Sequence, residues 1–519
     1  MNRLLSQLSS HWLLVQSALV ALLLTNLGNP TGAVAQNQST GAVVLNQSTR
    51  YEPMRQTLFG WEEETRLMIM NRYHNYGGIF YDRGLFRFTT PPFTKEHDIN
   101  LISYNFTPIE EHGWYYGDGN SFRTFMGSFN LGQFLHGAEI RNEIELTDRI
   151  TFPLQMIRRY DMRADRVLML LSFDYELTDD HRIGFSHTLN EQKPDLDATV
   201  YYQYGSMRDG GIQVELTALD WANNSAYNLG QKRGTEIPEL RTYDVKPYMI
   251  GFRGNQPLPG HLRIEAAAGL QTPLIAIAES MPHQHPGDSF RDREVARYGA
   301  VMLEYARPRL TAGLTLRHTF ARFSRNRAGD LPEEELLVPV SYGNRQIQNS
   351  LGAFLGLRQG SLYMQNWIWR NYNLDVQWDS HREEEMHGIE VYPFDFREFR
   401  WQMQFRAGYN PDQPGFTISL EFSSDYRHPT ENYRIEDQLT GGFLESRGLP
   451  YREFYPTTLG LRNERLTLQF GYRFTDRSYL ILGASMDLDG DKMGGYWDRI
   501  ERDVHSWFDG GFGRFVLYY

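Results

Sequence analysis

The feature that most constrains the fold of this sequence is a strict alternation of apolar and polar residues, in runs of about ten joined by short polar turns. Near the C-terminus, apolar residues hold every second position from Leu466 to Phe474 and again from Leu480 to Leu488. The polar turn at residues 475–478 joins the two runs. Because successive side chains of a strand point to opposite faces, this pattern predicts an antiparallel hairpin with one apolar and one polar face.

The same hairpin unit recurs along most of the chain, and its connections alternate between short and long. Short turns containing Asp, Gly or Pro occur at residues 147–149, 178–180, 208–211, 257–260, 307–309, 358–360 and 411–415. Longer polar segments lie between them. Counting back from the C-terminus gives about 18 strands after residue 120, with 16 to 20 open because boundaries read from sequence slip by several residues.

Composition narrows the class of protein that such strands can build. The 519 residues include 14% aromatics and no Cys, and the net charge is −12. After residue 35 no stretch approaches the roughly 20 apolar residues of a membrane helix. An all-β chain with one apolar face, short turns at one end and long loops at the other is typical of a transmembrane antiparallel β-barrel. The acidic charge argues against a nucleic-acid partner, since phosphate binding needs a basic face.

The chain divides into three predicted parts. Residues 1–35 form a signal peptide, because an apolar core of 13 residues (residues 12–24) is too short to span a bilayer and is followed by the small residues Ala33, Val34 and Ala35. Residues 36–118 begin with a flexible polar stretch and continue as a lumenal plug, a periplasmic cap or an extra hairpin, three alternatives that the sequence leaves open. Residues 119–519 form the barrel.

The C-terminal residues resemble an assembly signal. Phe515, Leu517 and Tyr519 alternate on one face of the last strand, and Tyr519 ends the chain. This pattern is similar to the C-terminal signal of Gram-negative outer-membrane β-barrel proteins, although no particular family is identified. The resemblance implies location in the outer membrane, recognition by the barrel assembly machinery, and contact with outer-membrane lipid and lipopolysaccharide.

Charged and amide residues are predicted to line the lumen. They share the parity opposite to the apolar residues, and a charge facing lipid near the midplane would cost about 2–4 kcal/mol. Arg400, Gln402, Gln404 and Arg406, on one strand, are the best candidates for a ladder facing a solute. The predicted lumen residues are Arg141, Glu143, Glu145, Glu215, Arg263, Glu265, Arg317, Arg400, Gln402, Gln404, Arg406 and Arg473.

Metal and enzymatic sites are weaker hypotheses. Asp487, Asp489 and Asp491 have the spacing of the first calcium-loop ligands, but Lys492 stands where such a loop needs Gly, so we predict neither a metal site nor a cofactor. The segment Ser186-His187-Thr188-Leu189 is similar to the His-x-Ser motif of outer-membrane lipid hydrolases. Leu189 occupies the position of the nucleophile, and we therefore predict no such activity.

The functional hypothesis is a porin-like channel for passive passage of small polar solutes or saccharides. Polar side chains of both charge signs along a lumen can order the hydroxyl groups of a solute or repel one sign of ion. The alternative is a closed barrel whose extracellular loops carry a structural, adhesive or polymer-binding role.

Overall fold

The computed structural model describes most of the predicted barrel. The described residues are Leu58, Phe59, Glu62, Arg66 and residues 120–129, 133–160, 165–190, 193–207, 209–221, 225–227, 240–279, 289–327, 341–379, 394–411, 413–429, 462–475, 478–487 and 508–518. The predicted signal peptide lies outside them, and of residues 36–118 only the four named residues are described. Within these ranges there is no helix long and apolar enough to cross a membrane.

Twenty β segments make up the described chain, and every pairing between them is antiparallel. Their bounds are β1 (Ser121–Phe129), β2 (Gln133–Thr147), β3 (Ile150–Tyr160), β4 (Asp165–Thr178), β5 (His181–Asn190), β6 (Lys193–Ser206), β7 (Gly210–Ala218), β8 (Ser225–Tyr227), β9 (Leu240–Val245), β10 (Tyr248–Leu258), β11 (Leu262–Glu279), β12 (Ser289–Arg307), β13 (Leu310–Arg327), β14 (Ser341–Gln359), β15 (Leu362–Asp379), β16 (Phe394–Tyr409), β17 (Gly415–Pro429), β18 (Arg462–Thr475), β19 (Ser478–Asp487) and β20 (Phe508–Tyr518).

The pairing closes on itself. β1 pairs with β2 along one edge and with β20 along the other, so the first and last strands are neighbours. Two positions of the barrel are each built from two consecutive segments, because β7 pairs with β10 while β8 pairs with β9, and both β9 and β10 pair with β11. The barrel therefore has 18 strands, as the sequence predicts. Closure matters because it leaves no sheet edge with unpaired backbone groups.

The break between β9 and β10 has a local cause. Pro247 cannot donate a ladder hydrogen bond, and on the facing strand Pro273 lies within the register shift between Gln271 and Leu274. A buried hydrogen bond stabilises the chain beside the interruption, where the backbone N–H of Asp220 donates to the Asp197 carboxylate at 3.0 Å. Both segments nevertheless pair with β11, so they occupy one strand position of the barrel.

The two faces of the barrel differ as the alternation predicts. On β13, Leu314 is 56% exposed while the adjacent Thr315 is 3% exposed. The same contrast separates Leu351 from Ser350 and Leu420 from Glu421. Large apolar side chains exposed all around a closed barrel face lipid, and the opposite parity faces the lumen. Many of the inward side chains are polar and buried, among them Glu304, Gln404 and Thr467.

The short turns lie where the sequence places them. The turn between β14 and β15 contains Gly360 with φ of 59°, and the turn between β10 and β11 contains Gly260 with φ of 80°. Both values lie in the left-handed region that glycine adopts without steric penalty. These turns collect at the end of the barrel opposite the long segments between strands.

Candidate functional site

The inner wall of the barrel is the candidate site, and most of the predicted lumen residues lie on it. Arg317 and Glu143 are half-buried there, and Glu145 is exposed beside the short turn that follows β2. Arg141 and Arg400 occupy inward positions of β2 and β16, but their side chains lie outside the described part. The buried members of the set are Glu215, Arg263, Glu265, Gln402, Gln404, Arg406 and Arg473.

Opposite charges meet on the wall formed by β7 and β10 to β12. Arg263 contacts the Glu265 carboxylate at 3.1 Å and the Glu304 carboxylate at 2.5 Å, and all three side chains are buried. Removing one member of such a group would leave a buried charge without compensation, which is strongly destabilising. These residues therefore hold the wall together and are not available as free charges for a solute.

Three of the four described N-terminal residues, Leu58, Glu62 and Arg66, contact this same wall. The backbone N–H of Glu62 donates to the Leu58 carbonyl at 3.1 Å, which is the hydrogen bond of a helical turn. The Glu62 carboxylate contacts Arg253 Nε at 2.5 Å and accepts a 2.5 Å hydrogen bond from the Tyr298 hydroxyl. One turn further on, Arg66 lies 3.2 Å from the Glu215 carboxylate. Because these partners all have inward parity, this helical segment occupies the lumen.

Apolar packing accompanies the ion pairs. Leu58 is fully buried in a cluster that includes Met249 and Tyr298, and its backbone N–H donates to Glu265 Oε2 at 2.7 Å. Most other members of the cluster are small, which leaves room for the helical segment beside the strands. They are Leu219, Ala267, Ala296, Ala300, Met302 and Ala321.

Two glycines allow the wall to reach the helical segment. A Cβ at Gly269 would lie 2.2 Å from the Tyr298 ring, and a Cβ at Gly251 would lie 2.5 Å from the Glu215 carboxylate. Tyr298 and Glu215 therefore lie across the neighbouring strands at positions where only glycine leaves enough space. Without this close approach neither side chain could lie as it does against Glu62 and Arg66.

The wall formed by β14 to β16 has different chemistry. Trp367 and Trp369 lie on the inward face of β15, opposite Gln404 and Gln402 of β16 respectively. Asn371 donates to Gln402 at 2.6 Å. Gln404 is buried, yet its side-chain amide has no hydrogen-bond partner among the residues that the structure describes. This wall presents neutral donors and acceptors beside aromatic rings.

The side chains beside these tryptophans are fixed by specific contacts. The Arg317 guanidinium lies 4.1 Å from the centre of the Trp369 ring, a cation–π distance. Arg406 is buried and forms an ion pair with Glu421, with Nε donating to Oε2 at 2.9 Å. Of the predicted solute-facing ladder, Gln402 and Arg406 are thus engaged with the wall itself. Gln404 and its neighbour Gln365 are also buried, and their side-chain amides have no hydrogen-bond partner among the described residues.

The sequence reasoning missed the helical segment and its receiving side chains Arg253 and Tyr298. One pattern could have revealed the segment, because Leu58, Glu62 and Arg66 are spaced four residues apart and so share one face of a helix. The receiving residues carry no comparable pattern, since they come from different strands.

The remaining predicted sites fall mostly at the ends of strands. Phe515 and Leu517 are half-buried on β20, and Tyr519 lies outside the described residues. Asp487 ends β19, whereas Asp489 and Asp491 lie outside the described part, in which no metal-binding group of three acidic or imidazole side chains occurs. His187 lies between Phe185 and Trp221, with ring centres 4.5 and 5.6 Å away.

Among known proteins, the chain is similar only to solved structures, and at low sequence identity. No family model and no curated protein matches the sequence. Among solved structures, the FrpB iron transporter of Neisseria meningitidis is 8% identical over 79% of this chain and 82% of its own, with a TM-score of 0.37. OccK3 of Pseudomonas aeruginosa is 11% identical over 78% and 95%, with a TM-score of 0.31. A loop L8 deletion mutant of OmpT, an outer membrane protein of Vibrio cholerae, is 7% identical over 77% of this chain and 97% of its own, with a TM-score of 0.30.

The architecture itself defines the class. A closed antiparallel barrel with an apolar outer band, a polar interior, short turns at one end and long segments at the other is suited to a bilayer, because every strand has two hydrogen-bonded neighbours and only the apolar face meets lipid. The chain is an outer-membrane β-barrel protein.

Proposed function

We propose that this protein is an outer-membrane channel for passive passage of small polar solutes or saccharides, and that the helical segment containing Leu58, Glu62 and Arg66 controls the passage. The observation that carries the proposal is the asymmetric inner wall. One side binds the helical segment through ion pairs, and the other side presents unpaired buried amides beside tryptophan rings.

The wall from β14 to β16 suits a neutral, hydroxyl-rich solute. Hydroxyl groups can donate to and accept from the Gln365 and Gln404 amides, each of which carries both a donor and an acceptor. Apolar faces of a sugar ring can pack on Trp367 and Trp369. The charged side chains nearby are engaged with one another, as Arg406 is with Glu421, so they do not favour one sign of ion strongly.

The helical segment acts as a plug in this proposal. Glu62 meets Arg253 and Tyr298 near the middle of the strands, since Tyr298 is the tenth of the 19 residues of β12. A segment held at that depth narrows the lumen between its two mouths. Passage therefore requires that the segment shift away from β7 and β10 to β12, and we expect the wild type to conduct in brief openings.

The test uses a reversible covalent lock. The sequence contains no Cys, so a pair introduced as Arg66→Cys and Glu215→Cys can be joined without side reactions by a short bismaleimide that carries a cleavable disulfide. Single-channel conductance of the refolded full chain is then recorded in planar bilayers before joining, after joining and after cleavage. The two single-Cys variants, treated identically, are the controls.

Each outcome has a distinct meaning. Loss of openings after joining, with recovery after cleavage, supports the plug and the channel together. Equal conductance in the joined and cleaved states contradicts the plug. Silence in every state, with barrel folding confirmed by heat-modifiable migration, contradicts the channel.

One observation favours a second candidate, a closed barrel with a structural or adhesive role. Many inward side chains are nearly inaccessible, including Asp292, Glu304 and Glu421 at 0% exposure. If neither the joined nor the cleaved protein conducts, the closed barrel explains the result better than the channel does. The long connections between strands are then the candidates for a binding surface.

A further inference from the structure

The outer surface of β12 to β15 carries an unusual distribution of charge. The outward positions of these four strands hold no Asp or Glu, although the whole chain has a net charge of −12. Arginine is the only residue with a permanent charge at these positions. A positive surface on an acidic protein calls for a specific explanation, because it does not follow from composition.

Four of these arginines form one cluster. Arg322 of β13 lies directly opposite Arg345 of β14. Val295 of β12 lies opposite Arg322 on its other side, so Arg293 and Arg297, two residues either way along β12, are diagonal neighbours of Arg322 on the same face. We call Arg293, Arg297, Arg322 and Arg345 the arginine patch. Three of them are exposed, and Arg297 is half-buried with its guanidinium 4.8 Å from the Phe320 ring centre.

Like charges in directly opposed and diagonal positions of a sheet repel one another and destabilise it. An anion that lies over several guanidinium groups at once would reduce this mutual repulsion. Guanidinium groups bind phosphate with paired, charge-assisted hydrogen bonds, which makes a phosphate-bearing ligand the best match.

The height of the patch on the barrel indicates where the phosphates come from. Between the short turn at Arg307 and Arg297, the outward residues of β12 include Tyr305, Leu303 and Val301, which form the apolar band. Ten residues of a tilted strand span about 25 Å along the barrel axis, close to the thickness of the band that contacts lipid. The patch thus begins at the edge of the apolar band on the side of the long connections, at the level of the outer-leaflet headgroups.

We propose that the arginine patch is a binding site for the phosphorylated headgroup of lipopolysaccharide, with the lipid A phosphates lying over Arg293, Arg322 and Arg345. The arginine further along β12 does not belong to it, because Arg291 contacts the Asp244 carboxylate at 3.6 Å. The proposal is independent of whether the barrel conducts.

The test compares lipid A, lipid A from which the phosphates have been removed, and inorganic phosphate as ligands of the refolded full chain in detergent micelles, with affinity measured by titration and bound lipid identified by native mass spectrometry. The test variant is Arg293→Gln/Arg322→Gln/Arg345→Gln. The matched control is Arg307→Gln/Arg309→Gln, which removes two exposed arginines at the opposite end of the same hairpin.

We expect the triple variant to bind lipid A at least roughly tenfold more weakly than the wild type, given the strength of hydrogen bonds to charged groups. The control should bind as the wild type does, and dephosphorylated lipid A should bind weakly to all three proteins. Arg345→Lys, which keeps the charge but not the paired donors, should lie between the wild type and Arg345→Gln.

Equal affinity of the triple variant and the wild type for lipid A overturns the proposal. So does inorganic phosphate that competes with lipid A at equal concentration, because the site would then recognise a simple anion. If the triple variant folds poorly, the single variant Arg345→Gln decides the question, since it replaces one exposed side chain.

Discussion

The two walls of the lumen solve the burial of polar groups in opposite ways. The wall from β7 and β10 to β12 pairs its charges internally and with the helical segment, as in the contacts of Arg253 with Glu62 and of Arg66 with Glu215. The wall from β14 to β16 is mainly neutral, and buried amides such as Gln404 have no partner in the described structure. Both walls contain a buried amide without a partner among the described residues, Gln271 on the first and Gln404 on the second. The difference between the walls is therefore that the first pairs buried charges and the second is mainly neutral.

The largest expected change in stability comes from the buried ion pair between Arg406 and Glu421, on the otherwise neutral side of the barrel. Arg406→Met leaves the Glu421 carboxylate buried without its counter-ion, and we expect a loss of about 3–5 kcal/mol in the free energy of unfolding. The measurement is urea unfolding of the barrel in lipid vesicles. The double variant Arg406→Met/Glu421→Met removes both charges and should recover most of the loss; a single variant as stable as the wild type would show that the pair does not support this wall.

A smaller effect is expected where the charged wall approaches the helical segment. In Gly269→Ala the new Cβ would lie 2.2 Å from the Tyr298 ring and displace it from Glu62, at an expected cost of about 1–3 kcal/mol. The same variant should lengthen the open time of the channel. The control is Gly513→Ala, whose Cβ would have its nearest neighbour at an ordinary 3.4 Å. Equal unfolding free energies and equal open times of the two variants would contradict a role for the contact between Tyr298 and Glu62.

The smallest change in stability is expected on the neutral wall. Gln404→Leu removes a buried amide that has no partner, so the free energy of unfolding should rise slightly or change by less than about 1 kcal/mol. Block of ion current by oligosaccharides, measured in planar bilayers, should nevertheless weaken. A large loss of stability without any change in block would mean that Gln404 supports the wall and does not face the solute.

Much of the architecture could be predicted from the sequence because the strand period is local. Leu314 and Thr315 are neighbours in the chain, and the alternation alone predicted which faces lipid. The same local pattern, combined with turns such as residues 358–360, gave the 18 strands that the structure confirms. Boundaries were less accurate where strands extend beyond the apolar band. The alternation predicts a strand that begins near residue 296, whereas β12 begins seven residues earlier, at Ser289.

The candidate site was less predictable because its contacts are distant in sequence. Sequence parity identified Glu215, Arg263 and Gln404 as inward residues, but it could not pair Glu62 with Arg253 and Tyr298, which lie about two hundred residues away. The arginine patch depends likewise on register, since only the pairing of β12 with β13 and of β13 with β14 brings its members together.

The sequence by itself determined the alternation, the turns and hence the closed antiparallel barrel with its apolar exterior, since each of these follows from residues within a few positions of one another. Only the tertiary structure decided what the interior contains and which charges meet, because ion pairs and close contacts across strands depend on closure and register. Closure placed the Leu58 helical turn against Tyr298, and register set Arg322 beside Arg345. The first of these contacts supports the proposal for gating, and the second supports the proposal for lipid binding.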